Sequence, residues 1–239
     1  MKKFTKIIVF AVILLTVISF SSQATTPVSG GIYTNTTWTL ANSPYIVTGN
    51  VVVFPGVTLT IEPGVVVKFD NAMMLEIRQA SLMALGTSAD SITFTSSSAS
   101  PTVGIWNKIY INGGTSLSKF KYCSIKYAIY GINISSTTPV QMSSSALSSN
   151  NYGLVSSGLA SLTIDSSNFS HHVDIGVSVS GTGCLMMLNH CNFNNNHYGI
   201  DAGNAIESNH SWSWSFPTSG PTENRNDDSF PVWSQIYHN

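Results

Sequence analysis

Val57, Leu59 and Ile61 alternate with Thr58 and Thr60, and Val65, Val67 and Phe69 alternate with Val66 and Lys68. Pro55-Gly56 and Glu62-Pro63-Gly64 bound these runs. Period-two alternation between Pro and Gly turns is the pattern of short strands with one face buried. Leu75 and Ile77, Ile92 and Phe94, and Ile109 and Ile111 continue it. Outside the first 24 residues no window carries the i, i+3, i+4, i+7 stripe of a helix.

Between Leu117 and Ala202 the alternation becomes a repeat. Glycines fall at 131, 153, 176 and 199, and a large apolar residue precedes them at 125, 147, 169 and 193. A fixed step of about 22 residues marks a stacked architecture, because one unit cannot cover its own apolar face. A sandwich alternates its strands but does not repeat one three-strand sentence. The expected fold is all-β, a parallel β-helix solenoid with coils of about 22 residues. Three interior columns follow: Ile125, Leu147, Phe169, Phe193; then Ile132, Leu154, Val177, Ile200; and a narrow one of Cys123, Ser145, Ser167, Cys191. Each repeat glycine is expected at a corner, for a positive φ or for close approach between coils.

Lys2, Lys3 and Lys6 precede an apolar run from Ile7 to Phe20, and Ser22-Gln23-Ala24 offers a cleavage site. Residues 1–24 therefore read as a secretory signal peptide, with an apolar run short for a membrane span. Residues 25–50 read as leader and N-terminal cap, 51–202 as the β-helix, and 203–239 as an irregular aromatic cap or tail. Export implies a secreted or cell-envelope location, with no membrane span after cleavage.

Composition adds two exclusions. Charged residues are 9% of the chain, against about 25% in an ordinary domain. Removing the three signal lysines from 10 basic residues leaves 7 against 11 acidic, a net of −4. With no basic patch, nucleic acid is excluded as a partner. Cys123 and Cys191 share one register three coils apart, roughly 14 Å at the strand spacing. A disulfide needs Cα atoms within about 7 Å, so Cys123 and Cys191 stay unbridged. Cys184 approaches Cys191 only if the intervening loop bends back, and no disulfide is expected.

With coil and cap in hand, the chain resembles the secreted right-handed parallel β-helix proteins of the pectin-lyase-like superfamily. The likeness rests on Trp38 to Phe69, with Ser43-Pro44-Tyr45 and Leu59-Thr60-Ile61-Glu62-Pro63-Gly64-Val65. It continues in Leu85-Gly86-Thr87 leading to Ile92-Thr93-Phe94-Thr95-Ser96. It implies a right-handed solenoid, and a superfamily that spans polysaccharide lyases, polygalacturonases, epimerases and surface proteins without demonstrated activity.

The chemistry such enzymes need is thin here. A pectate-lyase-like site holds Ca²⁺ on clustered carboxylates beside an Arg or Lys base. Arg78 and Arg225, the only arginines, are read as lying outside the regular coils, and Asp165, Asp174 and Asp201 fall in different registers. A polygalacturonase-like site needs paired carboxylates, and neither Asn-Thr-Asp nor Arg-Ile-Lys occurs. No catalytic residue is therefore assigned. The turns before the repeat glycines gather His171, His172, Asp174 and His197 as a candidate ligand or metal patch. Asp174 and His197 each stand two residues before a glycine, which places them about 5 Å apart. Imidazole suits Zn²⁺ or Cu²⁺, so Zn²⁺ or Ca²⁺ is weighed as a cofactor, with none the leading expectation. Trp212 and Trp214 are candidate sugar-stacking residues, and Trp106, Tyr110 and Tyr130 either platforms or wall packing. The reading is an exported, non-catalytic β-helix surface protein, glycan-binding or adhesive, with a polysaccharide or cell-surface glycan as partner. The alternative is a lyase or hydrolase of acidic polysaccharide.

Overall fold

The computed structural model describes residues 25–135, 137–180 and 184–201, together with the backbone of Trp214 and Ser215. The expected signal peptide and most of the expected C-terminal cap lie outside the described residues.

Among the described residues every strand pairing is parallel, and each strand of an inner rung pairs with its equivalent one turn earlier and one turn later. The chain is a parallel β-solenoid of eight rungs, about seven turns, with three faces. The fifth rung shows the plan. Cys123–Lys126 lies on the first face, Ala128–Ile134 on the second and Val140–Ser143 on the third. The first two faces form one continuous sheet, because Thr26–Ile32 and Tyr45–Val53 each run unbroken across both. Among the described residues the only helical turn is the short 3₁₀ turn Leu40–Asn42.

The three interior columns form as the repeat requires. Ile125 pairs Leu147, Leu147 pairs Phe169, and Phe169 pairs Phe193. Ile132, Leu154, Val177 and Ile200 align likewise. Cys123, Ser145, Ser167 and Cys191 are all buried. Burying one such apolar side chain contributes roughly 1.5–3 kcal/mol, realised only when the next coil covers it. All three thiols are free, and Ser145 and Ser167 stand between Cys123 and Cys191 in their column.

Three features differ from the pattern-based expectations. Thr26–Ile32, read as a polar leader, is a strand paired with Tyr45–Val53. Its alternation was invisible because an end rung exposes most of its side chains. The fourth rung, Ile92–Ser96, Trp106–Asn112 and Ser118–Lys121, is lengthened by loops 97–105 and 113–117, which hid the period in the first half of the chain.

The corners are the third difference. The repeat glycines sit inside second-face strands and have no positive φ. Their role is close approach. A Cβ on Gly131 would lie 2.6 Å from the Gly153 carbonyl oxygen, and one on Gly153 would overlap the Gly176 carbonyl. The left-handed turns fall instead on two columns of non-glycine residues. Tyr122, Ser144, Ser166 and His190 turn the third face into the first, with φ of 48°, 48°, 50° and 51°. Tyr127, Ser149, His171 and Asn195 turn the first into the second, with φ of 69°, 54°, 57° and 55°. One left-handed residue redirects the chain sharply at modest cost when the stacked coils hold it there.

Candidate functional site

The left-handed corner between the first and second faces decides which polar side chains go in and which go out. The residue after it points inward and forms a ladder. Asn150 Oδ1 accepts the Ala128 N–H at 2.8 Å, and its Nδ2 donates to the Ile125 carbonyl at 3.1 Å. Asn196 repeats this one rung beyond the next, accepting the His172 N–H at 3.0 Å and donating to the Phe169 carbonyl at 2.9 Å. Between them stands His172, whose Nδ1 accepts the Asn150 N–H at 3.2 Å. His172 Nε2 faces the Leu147 carbonyl without a formed hydrogen bond, and it is the buried side-chain nitrogen left unpartnered among the described residues. Burial pushes the His172 pKa down to about 4.

The candidate patch therefore divides. His172 belongs to the interior, 3% exposed. His171 occupies the corner itself, its Nε2 3.2 Å from Asn195 Nδ2 on the next rung. Asp174 and His197 do meet, with Oδ1 and Nδ1 3.6 Å apart. The Tyr152 hydroxyl hydrogen-bonds Asp174, which raises the phenol's pKa. The His197 ring packs tilted against Tyr198 at 4.1 Å between centroids. A second cross-rung pair, His190 Nδ1 with Asp165 Oδ1 at 3.2 Å, arises at the other corner. It was legible from register, since Asp165 directly precedes the corner residue Ser166 and His190 occupies the equivalent corner of the next unit. Among the described residues no group of three or more His, Cys, Asp or Glu side chains converges as a metal site. Asp165, on the third face, and Asp201, on the second, stand apart from Asp174 at the corner between the first and second faces, so these carboxylates do not fit a lyase-type Ca²⁺ centre. Trp212 lies outside the described residues. Trp214 is placed by its backbone alone, which extends the third face by pairing with Leu188.

Pattern reasoning offered Tyr110 and Tyr130 as platforms or wall packing, but did not join them to Lys108 and Tyr152 on the outer surface of the second face. Register lines up Lys108, Tyr130 and Tyr152 in one outward column and Glu76, Tyr110, Asn133 and Val155 in the next. Tyr130 and Tyr152 stack at 5.1 Å and 17°. Lys108 Nζ lies 4.2 Å from the Tyr110 ring centroid and 5.7 Å from that of Tyr130. The Tyr110 hydroxyl meets Ser135 Oγ at 2.7 Å. On the third rung Arg78, read as outside the coils, ends the strand Leu75–Arg78 and grips Glu76 in two hydrogen bonds of 2.8 and 2.7 Å. Those bonds, with a third from Asn112 at 2.7 Å, hold the Glu76 carboxyl below its ordinary pKa. Trp106, by contrast, is buried, stacked on Phe69 at 4.1 Å, and donates to the Lys126 carbonyl.

The other faces differ in kind. Outward positions on the first face include Thr93, Thr95, Ser124, Ser148, Asn168 and Asn194; the third carries Thr60, Lys119, Gln141 and Thr163. Among the described residues neither presents an outward aromatic from a strand. No described helix is long and apolar enough to cross a membrane.

The family model for the pectate-lyase like beta helix domain matches residues 30–161, from the first rung to the start of the third-face strand of the sixth. No curated protein and no solved structure matches the chain. Matched over more than half its length, and folded as a parallel β-solenoid, the chain belongs to the pectate-lyase like beta helix domain family.

Proposed function

We propose that the protein is an exported, non-catalytic β-helix that works as a binding module outside the cell or on its envelope, with glycan as its ligand. The observation that carries this reading is the asymmetry of the three outer faces. The second face gathers Tyr110, Tyr130, Tyr152 and Tyr198 with Lys108 and Asp174. Among the described residues the first face presents mainly small polar chains, and the third mixes polar chains with the exposed aliphatic Leu85, Leu185 and Met187. Tyrosine gives a large contact area and a hydroxyl at low conformational cost, which suits a recognition surface. Export is supported by the lysines, apolar run and small residues of positions 1–24.

Two assays test the reading together. The protein is screened on a glycan array, then incubated with acidic and neutral polysaccharides, with and without Ca²⁺. Binding without new reducing ends or unsaturated products is expected. Product formation would reassign the protein as a lyase or hydrolase. The reading needs no cofactor, so protein reloaded with Zn²⁺ or Ca²⁺ after chelation should hold no stoichiometric metal.

A further inference from the structure

The second face also specifies what kind of glycan it takes, an inference that rests on the glycan-binding reading above. We propose that an uncharged polysaccharide chain lies along the solenoid axis over rungs four to six, held by the outer edges of Tyr110, Tyr130 and Tyr152 rather than by their ring faces.

Ring stacking sets the mode of contact. Tyr130 and Tyr152 lie face to face at 5.1 Å, so the facing side of each is filled by the other. Lys108 sits over Tyr110 and closer to it than to Tyr130. Sugar stacking on those faces would break the ladder. The edges remain, one tyrosine per rung at the rung spacing of about 4.8 Å, close to the length of an extended pyranose unit. The Tyr110 and Tyr152 hydroxyls already meet Ser135 and Asp174, and keep lone pairs with which to accept from a sugar. Asn133 adds an amide one rung from Tyr110 in the same column. The ladder is already ordered, so binding loses little side-chain freedom.

Charge sets the class. At the rung-four end Lys108 stands beside Tyr110, with the internally paired Arg78–Glu76 one rung before; Lys108 has no salt-bridge partner among the described residues. At the other end stands Asp174, partly shared with His197 and Tyr152. The surface is cationic at one end, neutral across rungs five and six, and anionic at the other. A polyanion laid along it meets Asp174 and a polycation meets Lys108, whereas a neutral chain spans both.

Size separates a slender polymer from a protein partner. Loop 97–105 bounds the face on one side, packing Gly104 beside Asn151 two rungs on, where a Cβ would lie 3.1 Å from Nδ2. Gly113 and Gly114, tied to Thr138 Oγ1 at 2.6 and 2.9 Å, bound the other. Between them the face spans about 16 Å along the strands, and rungs four to six occupy about 15 Å of the axis, roughly 250 Å². A stable protein interface takes about 800 Å² per partner.

The test is calorimetric titration with a mixed-linkage β-glucan, a galactomannan and polygalacturonate. Four proteins are compared: the full chain, the Tyr130→Phe/Tyr152→Phe double variant, Lys108→Ala, and Gln141→Ala. The double variant keeps the stacked rings and removes only the hydroxyls. A neutral chain should bind, and the double variant should weaken it about tenfold at an unchanged melting temperature. Gln141→Ala on the third face should bind like the parent. Neutral-chain binding untouched by the double variant would overturn the site while leaving the glycan reading standing. Polygalacturonate binding abolished by Lys108→Ala would overturn the ligand class. Binding of none of the three by any protein would overturn the site, and a blank glycan array would take the broader reading with it. A dimer in sedimentation equilibrium that the double variant dissociates would make the face a self-interface and reject the proposal.

Discussion

His172 Nδ1 accepts the backbone N–H of Asn150 at 3.2 Å, where the rungs on either side use an asparagine Oδ1. An amide offers both an acceptor and a donor in the geometry the ladder needs. Imidazole supplies the acceptor, but its Nε2 reaches no partner. A histidine has thus been fitted into an asparagine column at the cost of one buried hydrogen bond.

The first consequence is acid sensitivity. Burial lowers the His172 pKa from an ordinary 6.5 to about 4, so folding disfavours its protonated form. The unfolded chain binds the extra proton more readily. Stability is therefore full above about pH 6.5, falls as pH drops toward about 4, and levels below that. The loss from this residue is about 3 kcal/mol. Urea midpoints at pH 7.5, 5.5 and 4 should decline in that window; a flat profile would contradict the assignment.

Replacing the histidine should relieve both defects. His172→Asn restores the amide seen at Asn150 and Asn196 and removes the unpartnered nitrogen. It should stabilise the fold by about 1 kcal/mol at pH 7 and flatten the decline between pH 6.5 and 4. Equal or lower stability of the variant at neutral pH would show that the imidazole packs better than its hydrogen bonds suggest.

Gly153 should tolerate no side chain. Its added Cβ would overlap the Gly176 carbonyl oxygen and sit 2.7 Å from His172 Nε2. Gly153→Ala should destabilise by about 2 kcal/mol or more, and Gly153→Val further still. The matched control is Ser149→Gly, at a corner with φ of 54°, where relief of the left-handed backbone should offset lost chain stiffness to within about 1 kcal/mol. Equal thermal midpoints for Gly153→Ala and the parent would reject close approach as the reason for the column.

The thiols should be silent in the native protein. All three cysteines are buried, and burial pushes the Cys123 thiol up to about 12. Thiolate is the reactive form. Disulfide-exchange reagent at pH 8 should label none natively and all three after denaturation without reductant. Fewer than three in the denatured chain would mean a bridge has formed.

The interior was legible because identical registers stack, and a step of 22 residues carries Ile125 onto Leu147 without further information. The corners were not, because glycine serves both left-handed turns and close packing, and only coordinates separate the two uses. His172 was grouped with outward residues by counting back from Gly176. Counting forward from the left-handed His171 places it inside, beside Asn150 and Asn196. Asp174 and His197 met as register predicted, since both lie on the outer side of the same corner. The tyrosine column left a trace in the repeat, where Tyr130, Tyr152 and Tyr198 each precede the glycine. Lys108 belonged to a lengthened rung and gave no such sign. Arg78 looked irregular for the same reason, because loops in the next rung broke the period around it.

Oxidative footprinting tests the second-face account most directly. Hydroxyl-radical labelling is read at single residues with and without saturating neutral polysaccharide. Labelling of Tyr110, Tyr130 and Tyr152 should fall in the complex, while Met187, exposed on the third face, stays unchanged. Protection of Met187 with the three tyrosines unaffected would place the ligand on another face and contradict the account.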